Sequence, residues 1–139
     1  MIKDDARAKL EEYLDAWIER DFKAMWGATQ LTAQKMLPYH KFYDMVEPMA
    51  LVGYEILEVK EHTEESWYVD ILVRQKFGQP SSNDVTTWYF SGKSTFRVIR
   101  EKAAFKPTSE GGTWGVNPIS GIGLEVDLMP NSQEAPMKE

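Results

Sequence analysis

A chain of 139 residues with 42% apolar and 27% charged side chains has the size and composition of one globular domain, which excludes a disordered chain and a second core. Its 22 acidic against 16 basic residues give a net charge of −6, and no stretch gathers enough Lys and Arg to reverse it locally, so nucleic acid is not an expected partner. With no cysteine there is no disulfide, thiol nucleophile or thiolate metal site, and no apolar run approaches a membrane span, so no transmembrane segment is expected.

The opening Met-Ile-Lys-Asp-Asp carries no apolar leader. As written the chain is expected in the cytoplasm, and outside it if a leader has been removed. Residues 5–20 then predict an amphipathic helix: Ala6, Leu10, Tyr13, Leu14, Trp17 and Ile18 recur at helical spacing, and Asp4 or Asp5 can cap the first turn. Asp21 reads as a second cap, opening a short helix through Phe22, Met25 and Trp26 that ends near Gly27. Residues 29–37 fit neither period. Pro38 suits a first helical position, and Tyr39, Phe42, Met45, Val46 and Met49 form the next apolar stripe.

Pro48 and Gly53 mark a change of period from helix to sheet. Residues 54–62 and 67–77 predict two strands joined by a turn, with Trp67, Val69, Ile71 and Val73 on one face and Tyr68, Asp70, Leu72 and Arg74 on the other. Residues 78–84 are a loop, and a long third strand runs over 85–105 with a bulge or bend expected at Gly92. Glu110-Gly111-Gly112 turns the chain into a last short strand over 114–117, ended by Pro118. The domain is expected over residues 1–122, with 123–139 an edge strand or flexible tail.

Helices first and hairpin-linked strands after them specify an α+β domain. The segment 6–26 (ARAKLEEYLDAWIERDFKAMW) resembles the opening of the nuclear-transport-factor-2-like, or cystatin-like, superfamily, and 95–118 (TFRVIREKAAFKPTSEGGTWGVNP) is similar to its closing hairpin. Within it, the chain looks like stand-alone bacterial domains and like the domain that precedes the transpeptidase in some penicillin-binding proteins. The resemblance implies N-terminal helices wrapped by a curled antiparallel sheet, a cystatin-like cone with a pocket at its wide end. Some relatives use that pocket for isomerisation or dehydration with an acidic or His base. Others bind small ligands, and many only bind partner proteins or dimerise through the sheet.

Two residues are candidates for a catalytic base. Asp70 is the one acid in the middle of an apolar strand; the plainer reading pairs it with a cross-strand cation such as Arg97 on the wetted face. His40 opens the third helix and can hang over a pocket mouth, or sit exposed at a helix end. With His62 it makes up the histidines, and their spacing matches no metal motif, so neither metal nor cofactor is expected. Tyr13, Trp17, Tyr43 and Trp88 can line a cavity for a flat apolar ligand. The outward one of Trp88 and Tyr89, with Tyr68 and either Phe90 or Tyr54, can form an apolar patch on the sheet, the basis for expecting a homodimer through it. The functional expectation is a non-catalytic binding or protein-interaction module. The alternatives are a small-molecule pocket and, behind it, an isomerase or dehydratase using Asp70 or His40.

Overall fold

The computed structural model describes residues 2–62, 64–78 and 89–127. Four helices come first, α1 (Ile2–Ile18), α2 (Phe22–Gly27), α3 (Leu31–Met36) and α4 (Tyr39–Val46). Six strands follow, β1 (Ala50–His62), β2 (Glu65–Gly78), β3 (Tyr89–Ala103), β4 (Lys106–Pro107), β5 (Thr113–Asn117) and β6 (Glu125–Val126). The fold is α+β, with the helices packed on a curled antiparallel sheet. β1 pairs with β2 and β2 with β3; β5 and β6 pair with β3 along its other edge, and β4 pairs with the end of β3 beyond β2.

The apolar stripe of α1 is the seed of the core. Ala6, Leu10, Tyr13, Leu14 and Trp17 are buried, and the helix packs on β1, β2, β3 and β5. From the sheet, Val69, Ile71, Val73, Phe77, Phe96, Val98 and Val116 meet it. Each such side chain stabilises by about 1.5–3 kcal/mol before ordering costs. The helix ends in a Schellman turn: Asp21 N–H donates to the Ala16 carbonyl and Arg20 N–H to that of Trp17. Arg20 takes the left-handed position (φ 62°) usual for glycine, and its guanidinium donates to the backbone oxygens of Glu47 and Met49. Asp21 caps α2 as expected, its carboxylate accepting from Ala24 N–H at 3.2 Å.

Several sequence expectations are corrected. Residues 29–37 contain α3, held from outside by β3. Pro38 is the N-cap residue of α4 rather than its first residue. Gly53 lies inside β1 at a register shift and does not precede it. Trp67 is only partly buried and tilts against Tyr68, outside the core cluster. Gly92 is no bulge: β2 and β3 stay in register through Gln75 and Gly92. Its missing side chain serves a close approach instead, since a Cβ there would stand 2.7 Å from the Glu125 carbonyl of β6. β3 stops at Ala103, where a turn with Phe105 in the left-handed region (φ 67°) leads back into β4. Gly78 ends β2, and the rest of the loop expected over 78–84, the start of the strand expected from 85, and Trp88 lie outside the described residues.

Candidate functional site

The helical stripe and the sheet do not close completely on each other. Between α1, α4, the inner face of β2 and β3, and the segment 118–124 lies a cavity of about 260 Å³. Tyr13 and Trp17 form its α1 wall, Met45 and Val46 of α4 with Met49 just after it a second wall, and Gln75, Phe77 and Phe96 its floor, with Pro118, Gly121, Ile122 and Leu124 across the remaining side. Ile122 is 59% exposed and so stands at the mouth, while the floor residues are buried. Gly121 is required by the packing: a Cβ on it would come within 2.2 Å of the Phe96 ring.

The walls are held in place by aromatic edges and one directed hydrogen bond. Tyr13 meets Trp17, Phe42 and Phe96 edge-on at 6.2–6.4 Å between centroids, and Trp17 meets Phe77 at 5.6 Å. The Trp17 indole N–H donates to the Met49 carbonyl at 2.8 Å, which fixes the α1 wall to the start of β1.

The lining also carries polar groups. Gln75 follows Val69, Ile71 and Val73 on the inward face of β2 and is 1% exposed. Its side-chain carbonyl accepts from the Ser94 hydroxyl at 2.6 Å, across the β2–β3 ladder. That leaves its amide nitrogen without a protein partner among the described residues. Tyr13, 2% exposed, makes no hydrogen bond through its hydroxyl among them either. Burial alone pushes the Tyr13 phenol far above its ordinary value, so it is a neutral O–H.

Of the residues singled out from the sequence, the structure brings Tyr13 and Trp17 together in this lining. Tyr43 lies elsewhere, on the outer side of α4, where its ring packs edge-on against Phe22 at 5.2 Å and beside Tyr39. Trp88 is outside the described residues. His40 is exposed in the first turn of α4, away from the lining. Asp70 sits on the outer face of the sheet. Arg97 grips both its oxygens (Nε to Oδ1 2.9 Å, Nη2 to Oδ2 3.0 Å), and His62 Nε2 lies 3.1 Å from Oδ2. Partial burial raises the Asp70 carboxyl, but the hydrogen bonds from Arg97 and His62 outweigh it and hold the group below the usual range. Tyr68 lies beneath this cluster, with His62 stacked on its ring at 4.3 Å and the Arg97 guanidinium 4.1 Å from its centre.

Sequence reasoning missed Gln75 and Glu101. For Gln75 the signal was present: it is the polar member of an inward apolar alternation. Glu101 had none, because its partners are some seventy residues away. It is 2% exposed and accepts from Gln30 Nε2 at 3.0 Å, from Thr32 N–H at 3.0 Å and from the Thr32 hydroxyl. It thereby caps the first turn of α3 from the sheet, a structural role.

Among the described residues no group of three or more His, Asp or Glu is placed to hold a metal ion, and no helix is long and apolar enough to cross a membrane. No protein-family model and no curated protein sequence matches the chain.

Proposed function

We propose that the chain is a small-molecule-binding domain of the nuclear-transport-factor-2-like kind, a cystatin-like cone that binds a ligand without transforming it. The observation that carries this is the 260 Å³ cavity beside α1, whose lining includes two polar groups, the Gln75 amide nitrogen and the Tyr13 hydroxyl, that no described residue engages. A filled core leaves no such space, and donors without a protein partner beside a cavity are available to a ligand. The family resemblance, which implies a pocket at the wide end of such a cone, supports this reading.

Binding is favoured over proton abstraction because Asp70 and His40 are both outside the lining, and Asp70 is already ion-paired. It is favoured over a protein-interaction face because the described members of the aromatic patch expected on the sheet do not stand together in solvent. Tyr54 and Phe90 pack against the core cluster, and Tyr68 is covered by His62 and Arg97.

The test is an NMR titration of the assigned protein with small neutral aromatics. Saturable amide shifts should centre on Tyr13, Trp17, Phe77, Phe96 and residues 118–124. Shifts confined to the outer face around Tyr68 and Arg97, or none, would refute the pocket.

A further inference from the structure

The chemistry of the cavity narrows what it can hold, given the pocket reading above. No described lining residue carries a charge, so an ionised ligand would lose its hydration with no counterion to replace it. Most of the wall is aliphatic, thioether or aromatic, which suits a flat apolar body. At interior packing density a space of 260 Å³ takes about ten non-hydrogen atoms.

The polar groups are unequal. The Trp17 indole N–H is already used by the Met49 carbonyl. The Gln75 carbonyl is used by Ser94, and this bond orients the amide so that its nitrogen is the end left over. What remains is an N–H donor from Gln75 and the Tyr13 hydroxyl, both on residues more than nine-tenths buried. Two donors lining one uncharged, mostly apolar cavity call for an acceptor oxygen, and a carbonyl with two lone pairs can accept from both.

We propose that this pocket selects small neutral molecules bearing a carbonyl-type oxygen on an apolar, flat body, with Tyr13 and Gln75 donating to that oxygen. The two residues discriminate against the matching hydrocarbon, which would leave both donors unpaired, and against carboxylates, which the uncharged walls reject.

Acetophenone and ethylbenzene test this directly, since they match in size and differ in the oxygen. Dehydrating a carbonyl disfavours the ketone, so a pocket without free donors should prefer ethylbenzene by roughly ten-fold. The expected result, by calorimetry or NMR titration on the intact chain, is that acetophenone binds at least as tightly as ethylbenzene and that benzoate at neutral pH does not bind. Tyr13→Phe and Gln75→Leu should each lower the acetophenone-to-ethylbenzene affinity ratio about five- to ten-fold. Ethylbenzene binding the tighter of the two in the wild-type pocket, or benzoate binding there, overturns the carbonyl assignment and leaves the pocket standing. Binding of none of the three overturns both. The wild-type comparison needs no variant, so a variant that fails to fold does not blur the outcome.

Discussion

Asp70 shows how a residue's surroundings choose among the roles its chemistry allows. A carboxylate in a dry cavity with no partner can take a proton near neutral pH; one held by a bidentate guanidinium gives it up more readily. Here the second arrangement holds, with Arg97 at 2.9 and 3.0 Å. Because the folded-state value lies below the unfolded one of about 3.9, the unfolded chain takes up the extra proton as acidity rises. The stability from this pair is therefore complete above about pH 4 and is lost as pH falls through the folded value. Asp127 is shifted the same way, chiefly by the Ser91 hydroxyl, so Asp70 accounts for part of the acid slope. Arg97 is 41% exposed, and solvent screens the pair. Asp70→Asn should cost about 1 kcal/mol at pH 7 in urea denaturation, and the gap from wild type should narrow by pH 3.

At the scale of elements, β3 organises the molecule, because it pairs with β2 and, beyond the end of β2, with β4 on one edge, and with β5 and β6 on the other. Part of its junction with the helices runs through β5. Gln30 N–H donates to the Val116 carbonyl at 3.0 Å, and Val116 N–H to the Ala28 carbonyl at 2.9 Å. That approach depends on Gly115, where a Cβ would lie 2.4 Å from the Gln30 Cα, a backbone atom that cannot swing aside. Gly53 in β1 is the natural control, since a Cβ there meets nothing within 4 Å. Gly115→Ala should lose about 2 kcal/mol or more by overpacking, and Gly53→Ala should stay within about 0.5 kcal/mol of wild type in the same urea titration. Equal effects would mean that the 28–30 segment does not rest on β5 as described.

For the whole molecule, the outer surface of the described sheet is a ladder of charged and polar pairs. Lys60 stands opposite Asp70 and Asp70 opposite Arg97, Leu72 lies between Glu58 and Thr95, and Arg74 between Glu55 and Lys93. Such a face offers little apolar area to a second copy, and stable interfaces need an apolar centre. With a net charge of −6 adding repulsion, light scattering at high concentration should give a mass near 16.0 kDa. A mass near twice that value would restore the sheet as an interface.

Much of this architecture was legible in the amino-acid order. The periods of 3.6 and 2 placed α1, α2, α4, β1 and β2 near their observed positions, and the alternation in β2 put Val69, Ile71 and Val73 inside and Asp70 outside. Local chemistry also identified the Asp21 cap. These features depend on neighbours a few residues away, or on which face must leave water. Periodicity could say that Tyr13 and Trp17 turn inward, but not whether the space beside them would be filled. The cavity, the pairing that leaves the Gln75 nitrogen over, the support of α3 by Glu101 and the crowding at Gly115 each join residues remote in the chain. Packing at that range follows from how the elements curve and meet in three dimensions, and no local pattern encodes it.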